Sequence, residues 1–325
     1  MTAIAKNLIV FLLSSAVCVL MMWWLYRGFR LAELASFFTQ RSNYVWITLT
    51  LLAGVAANVL RSLRWRMLLD GAGIRVSVRR CIDLVFIAYL VNSVTPRLGE
   101  LTRSLLVRKG NAEASTRALG TVVVEKLADV GCLAVVVGLA VALRWQPTVE
   151  LVRHLDEGLQ RAVPGYAAFT AAACAVCLLI GIGFPLRRHV ARFVRNLWQG
   201  VSAIVRLRRP WRFVGLCAGI WTCNFLQLYL LAPCFTELSD ITLAGFIHLF
   251  AAASVGVLLP TPAGAGPWHF AIVRTLTAVY GTARPVAQSF ALISHGLKTA
   301  LVMLLGIVGY VSYSRSLLRG VRRTK

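Results

Sequence analysis

Charged side chains lie inside apolar stretches of this sequence, where they are costly and are therefore candidates for function. Arg97, Glu100 and Arg103 form one such group, in the segment 92–103, which reads Asn-Ser-Val-Thr-Pro-Arg-Leu-Gly-Glu-Leu-Thr-Arg. The guanidinium fork of arginine matches the oxygens of a phosphate group. We therefore expect Arg97 and Arg103 to be cations that face a phosphate.

A second group of charges follows within a long apolar run. Glu125 and Asp129 are four residues apart, so they share one face of a helix. We expect them to carry protons or to act as counter-ions, and Lys298 and Arg274 are assigned to the same class. Ion pairs among these groups would explain them equally well without any direct role.

Both regions contain a break at proline and glycine. Thr95-Pro96 and Gly266-Pro267 each have the pattern of an N-cap followed by proline in the first turn of a new helix. A helix N-terminus that points into the membrane favours an anionic group such as phosphate. The predicted substrate-binding residues are therefore Asn92, Thr95, Pro96, Arg97, Gly99, Glu100, Arg103, Pro262, Gly264, Gly266 and His269.

Two of these assignments have an alternative that stays open. The glycines would allow close backbone approach and unusual φ values, but they could equally serve only to make the turns. His269 lies three residues into the helix after the second break. A lone histidine in a membrane helix is usually an interior group whose ring nitrogens are hydrogen-bonded, yet beside a helix start it could carry a coupling proton.

The composition places these groups in a membrane protein. Of the 325 residues 58% are hydrophobic and only 14% are charged, and the mean hydropathy is +0.72. The net charge of +23 comes largely from arginines beside apolar runs, so it indicates anionic lipid headgroups and not nucleic acid. The sequence has no Walker loop, metal-ligand cluster or Ser-His-Asp arrangement, so we predict no cofactor, no metal and no catalytic residue.

Apolar length predicts an all-α polytopic fold with about six full spans. Two further segments, about 80–109 and 242–281, are broken and are predicted to be re-entrant helical hairpins. The second is long enough that it could instead be a short full hairpin with its proline loop near the cytoplasmic side. The six spans are expected at about 6–26, 44–66, 116–143, 164–184, 212–232 and 285–314.

The distribution of arginine predicts the orientation. The stretches 61–80, 185–212 and 315–325 are rich in arginine, which places them and both termini in the cytoplasm. The connection 144–163 carries as many acidic residues as arginines, and the connection 233–241 carries only acidic residues, so both should face outward. We expect an integral membrane protein, and specifically one of a bacterial inner membrane.

The order of spans and breaks predicts an inverted repeat of about 1–150 and 158–325 within one membrane domain. Pro262 follows Pro96 by 166 residues, and the flanking spans have similar offsets. Such a repeat places a transport site near the midplane, between the two broken elements. The alternative is that both breaks arose for helix packing alone.

The chain resembles the membrane domain of the lysylphosphatidylglycerol synthase/flippase family. The resemblance rests on the segments 64–69, 92–103, 125–129 and 260–266. It implies movement of a lipid with an anionic or modified headgroup between leaflets. Synthase activity belongs to a separate soluble domain that we do not expect here. This sequence departs from the family pattern at Ala263, where the family usually has glycine, and at His269, where it usually has glutamate.

Two other functions remain open from the sequence. The protein could be a membrane-embedded enzyme that acts on a lipid or polyprenyl phosphate, with Glu100, Glu125 and Asp129 as acid-base groups. It could also be an accessory subunit that binds enzymes of envelope-lipid or glycan assembly. In each case the expected partners include membrane lipids and exclude nucleic acid.

Overall fold

The computed structural model describes residues 15–16, 18–30, 32–95, 98–108, 110–162, 207, 209–259 and 261–323. These residues form helices joined by turns, and no strand occurs among them. In chain order the helices are α1 (18–26), α2 (Ala32–Thr39), α3 (Asn43–Gly71), α4 (Val78–Val94), α5 (Leu98–Leu106), α6 (Ala112–Leu143), α7 (Trp145–Ala162), α8 (Pro210–Tyr229), α9 (Leu243–Gly256), α10 (Pro267–Ala278) and α11 (Arg284–Arg323).

Four regions of the described chain are long and apolar enough to cross a membrane. They are Asn43–Gly71, Ala112–Leu143, Pro210–Cys234 and Arg284–Ser316. They confirm the predicted spans at 44–66, 116–143, 212–232 and 285–314. The predicted span 164–184 and most of the predicted span 6–26 lie outside the described residues.

The first predicted break is found between α4 and α5. Helix α4 ends at Val94, where the Thr95 hydroxyl donates a hydrogen bond to the Val91 carbonyl at 2.9 Å. Thr95 therefore closes α4, and its predicted role as the N-cap of the next helix stays a prediction. Pro96 and Arg97 lie outside the described residues.

The second break separates α9 from α10 and contains a 3-10 turn at Pro262–Gly264. Helix α10 begins at Pro267 with Gly266 as its N-cap, as predicted. Gly264 and Gly266 have φ values of 75° and 85°, which glycine adopts easily. Ala263 has a φ of 54°, a conformation that is strained for a residue with a side chain.

Close contact between helices depends on small residues. Helix α11 packs along α4, and a Cβ atom added to Gly309 would lie 2.9 Å from the Asp83 carbonyl oxygen. Helix α8 packs along α3, where a Cβ atom on Gly54 would lie 2.1 Å from Nε2 of Gln227. Small residues let backbones approach closely in membrane helix pairs, so these contacts fix the positions of α3 and α4.

The order of elements repeats along the chain. A long helix, a broken pair and another long helix occur as α3 to α6 and again as α8 to α11. Helix α4 packs against the 3-10 turn Pro262–Gly264, so the two broken pairs are neighbours. The predicted opposite orientation of the two halves stays a prediction.

Candidate functional site

Arg64 is the centre of a buried ion-pair network between α3 and α6. Its side chain is fully buried, and its Nη1 atom lies 2.7 Å from Oδ1 of Asp129. Its Nη2 atom lies 3.3 Å from Oε1 of Glu125, which is also buried. One guanidinium thus holds both carboxylates, and the predicted shared face of Glu125 and Asp129 is confirmed.

Two further arginines complete the network. Nη2 of Arg103, on α5, lies 2.8 Å from Oε2 of Glu125. Its guanidinium also lies 4.5 Å from the centre of the Trp65 ring, a cation-π contact. Nη1 of Arg61 lies 3.4 Å from Oδ2 of Asp129. Both of these cations are therefore held by carboxylates of α6.

Asn92 and Glu100 connect α4, α5 and α6. The Asn92 amide nitrogen donates to Oε2 of Glu100 at 3.0 Å, and its amide oxygen accepts from the Gly99 backbone N–H at 2.7 Å. Oε1 of Glu100 lies 2.6 Å from Nζ of Lys126 on α6. A Cβ atom on Gly99 would lie 1.9 Å from the Ala88 carbonyl oxygen, so only glycine allows this approach of α5 to α4.

We call these seven charged residues the arginine cluster: Arg61, Arg64, Arg103, Lys126, Glu100, Glu125 and Asp129. Four cations face three carboxylates, which leaves one net positive charge. A small pocket opens on the cluster and is lined on its polar side by Tyr89, Asn92, Glu100, Arg103, Glu125 and Lys126. The charged residues of the pocket lining are two cations, Arg103 and Lys126, and two carboxylates, Glu100 and Glu125.

Helix α5 is amphipathic with its polar side turned inward. Gly99, Arg103 and Ser104 are buried, whereas Leu98, Leu101 and Leu105 are exposed. A helix on the surface of a soluble protein has the opposite arrangement. The exposed apolar stripe is the surface that a lipid chain would contact.

At the second break four residues lie close to the first turn of α10, and we call them the histidine cluster: Trp268, His269, His295 and Lys298. The ring centroids of His269 and His295 are 4.7 Å apart. Nε2 of His295 lies 3.1 Å from the Ala263 carbonyl oxygen, and the ammonium of Lys298 lies 5.3 Å from the centre of the Trp268 ring. Arg274 lies on α10 and has no ion pair with a carboxylate of the described chain, so it is not brought into either cluster.

The residues of both clusters lie within a match to a known protein family. The model of the lysylphosphatidylglycerol synthase TM region matches residues 9–306. The chain belongs to this family. The match covers the helix segments that carry the arginine cluster and the histidine cluster, and the family fits a membrane role related to lipids.

A curated relative of this family member is a UPF0104 membrane protein of Pyrococcus horikoshii. The two are 25% identical over 150 residues, which cover 44% of this chain and 42% of the relative. The match thus spans less than half of either protein. It agrees with the family assignment.

The sequence did not reveal the roles of Arg61 and Arg64 in this family member. Both lie where the predicted span 44–66 overlaps the arginine-rich stretch 61–80, which indicates only a cytoplasmic end of the span, whereas α3 continues to Gly71 and places them on its inner face. Their spacing of three residues, which puts them on one side of a helix, is the signal that could have found them. Trp65 and Trp268, the ring partners of Arg103 and Lys298, were also missed.

Proposed function

We propose that this protein moves a membrane lipid between the two leaflets, with the headgroup passing between the two broken helix pairs. The observation that carries the proposal is the arginine cluster, a net positive network enclosed by helices whose outer surfaces are apolar. Charged groups in a membrane interior usually face a polar pathway. A headgroup could follow such a pathway while its acyl chains stay in the bilayer.

The apolar surface beside each break supports a lipid as the substrate. Val94 and the leucines of α5 are exposed at the first break. The residues Val255, Val257, Leu258 and Leu259 are exposed at the second. Acyl chains can contact both surfaces without a desolvation penalty, whereas a small polar solute would gain no favourable contact from them.

The Glu100–Lys126 ion pair lies at the entrance to the pocket. The Lys126 side chain is about half exposed at 52%, and that of Glu100 is 15% exposed. An anionic headgroup could replace Glu100 as the partner of Lys126 and so separate α5 from α6. The pocket is small, so we infer that α5 moves when a headgroup enters.

The proposal includes the predicted topology. The two broken pairs would enter the membrane from opposite faces as re-entrant hairpins, in an inverted repeat with cytoplasmic termini in a bacterial inner membrane. The contact of α4 with the 3-10 turn Pro262–Gly264 supports a shared site near the midplane.

The pairing of the carboxylates favours translocation over bond chemistry. Glu100, Glu125 and Asp129 each lie within 4.0 Å of a cationic side chain. A general acid or base must instead be able to exchange a proton with its substrate. Three carboxylates held by cations suit a fixed electrostatic pathway better than a reaction centre.

A leaflet-accessibility assay tests the function. The purified protein is placed in liposomes with fluorescent phosphatidylglycerol, and an impermeant reductant bleaches only the outer leaflet. Wild type should expose inner-leaflet lipid to bleaching. Lys126→Met removes the proposed headgroup contact and should slow movement about tenfold or more.

Glu113→Gln is the matched control, because Glu113 is 62% exposed and pairs only with Arg117 on its own helix at 3.9 Å. It should move lipid as wild type does. The proposed pathway would be refuted if Lys126→Met moved lipid as fast as Glu113→Gln and wild type do. It would also be refuted if liposomes with wild-type protein exposed no more lipid than protein-free liposomes.

A further inference from the structure

Two buried N–H donors at the start of α10 have no acceptor. His269 is 2% exposed and Trp268 is 5% exposed. Nε2 of His269 and Nε1 of Trp268 make no hydrogen bond to any part of the chain that the structure describes. A buried donor without a partner is costly, so these atoms indicate a ligand.

The hydrogen bond at Gly266 fixes the tautomer of His269. The Gly266 backbone N–H donates to Nδ1 of His269 at 3.4 Å, so Nδ1 carries a lone pair and no proton. A neutral imidazole then carries its proton on Nε2. The free atom of His269 is therefore a donor, as the indole nitrogen of Trp268 always is.

His295 lies beside both rings but cannot accept these protons. Its ring centroid is 4.7 Å from that of His269 and 6.2 Å from that of Trp268. Its Nε2 is close to the Ala263 carbonyl, to which it must donate, and its Nδ1 lies 3.4 Å from the Thr299 hydroxyl. Both ring nitrogens of His295 therefore already have hydrogen-bond partners.

Lys298 adds a cation without a carboxylate. Its ammonium lies 5.3 Å from the centre of the Trp268 ring, and no described carboxylate forms an ion pair with it. Another cation, Arg61, repels its positive charge. Helix α10 has 12 residues, and its N-terminus contributes further N–H groups and partial positive charge at the same place.

We propose that Trp268, His269 and Lys298 form an anion subsite at the first turn of α10, which binds the phosphate of an anionic lipid headgroup. The three side chains offer donors and one positive charge but no free acceptor. A headgroup ammonium would find no acceptor on these side chains, whereas phosphate oxygens can accept a hydrogen bond from each of the three kinds of donor. The inference deepens the proposed function and rests on it for the assignment of the ligand to a lipid.

Lipid binding is the measurement that tests the subsite, because it does not depend on movement. The full chain is purified in detergent, and binding of phosphatidylglycerol is measured by native mass spectrometry against diacylglycerol with the same acyl chains. Wild type should prefer phosphatidylglycerol, and Lys298→Met should weaken that binding about tenfold. Trp211→Phe is the control, since Trp211 is 84% exposed and lies outside the subsite.

Variants at His269 separate ligand binding from folding. His269→Gln can still accept from the Gly266 N–H and donate to phosphate, so it should bind almost as wild type does. His269→Glu can also accept from Gly266, but it places a carboxylate in the subsite and should lose phosphatidylglycerol binding. Equal affinity of wild type and His269→Glu would overturn the proposal, as would equal binding of diacylglycerol.

Inorganic phosphate distinguishes the two sources of the anion. Phosphate at millimolar concentration should not displace phosphatidylglycerol, and displacement would overturn the assignment to a lipid.

Failure of the proposed function is recognised separately. If wild type binds phosphatidylglycerol through these residues but moves no lipid, the subsite stands and translocation is refuted. If lipid moves but the variants bind normally, the subsite is refuted.

Discussion

Arg64 and Glu125 pair in the interior of the protein although they are far apart in sequence. Both side chains are buried, with an accessible fraction of 0% for Arg64 and 1% for Glu125. Their nearest atoms, Nη2 and Oε1, are 3.3 Å apart. Because Arg64 also binds Asp129, its removal would leave two carboxylates of α6 with fewer cations.

Arg64→Met should therefore strongly destabilise the protein. Breaking a buried ion pair by removing one partner costs about 3–5 kcal/mol, because the remaining charge stays buried. Denaturant unfolding in detergent, followed by circular dichroism, measures the change in the free energy of unfolding. Arg66→Met is the matched control, since the side chain of Arg66 is 39% exposed and pairs with Asp70 at 3.9 Å.

The free energy of unfolding of Arg66→Met should fall by less than about 1 kcal/mol, because exposed ion pairs contribute little. A loss of similar size in both variants would contradict a special role for the buried pair. Arg64→Met unfolding at the same denaturant concentration as wild type would contradict it as well.

The helices and breaks were predictable because their signals are local. An apolar run of sufficient length predicts a span wherever it occurs, and Gly266-Pro267 starts a helix because of the backbone preferences of those two residues. These predictions needed no knowledge of which helices are neighbours.

The partners of the charges were not predictable in the same way. Arg61 and Arg64 follow an apolar run directly, as cytoplasmic arginines do, and only the contact of α3 with α6 shows that they are internal. Arg103 was predicted to face phosphate, but in the structure it lies between Glu125 and the Trp65 ring. Such pairings depend on helix rotation, which one sequence does not encode locally.

Gly99→Ala should push α5 away from α4. The added Cβ atom would lie 1.9 Å from the Ala88 carbonyl oxygen, far inside contact distance. We expect a loss of about 1–3 kcal/mol, as for other overpacked positions, measured by denaturant unfolding. Gly131→Ala on α6 is the control, because nothing lies within 4 Å of its added Cβ. If the two variants are equally stable, α5 does not pack against α4 as described.

Ala263→Gly should stabilise the second break. Ala263 has a φ of 54°, which is costly for alanine and not for glycine. After the greater freedom of glycine in the unfolded chain is subtracted, a net gain of about 0.5–1 kcal/mol remains. Ala265→Gly is the control with the opposite sign, because Ala265 has an ordinary φ of −63°. A loss of stability in Ala263→Gly would contradict the strained conformation.

Cysteine labelling tests whether the two broken pairs enter the membrane from opposite faces. In a variant without native cysteines, Arg75→Cys and Arg108→Cys flank the α4–α5 pair, whereas Asp240→Cys and Ala283→Cys flank the α9–α10 pair. All four positions are exposed. The positive-inside rule places the first two in the cytoplasm, and the inverted repeat places the other two outside.

An impermeant maleimide applied to intact cells should therefore label Asp240→Cys and Ala283→Cys, and it should label Arg75→Cys and Arg108→Cys only after the membrane is opened. Labelling of one position of a pair from each face would mean that the pair crosses the membrane as a full span. If all four positions react from the same face, the two halves are not inverted. The shared midplane site would then lose its basis, because an inverted pair is the arrangement that brings two such breaks together within the bilayer.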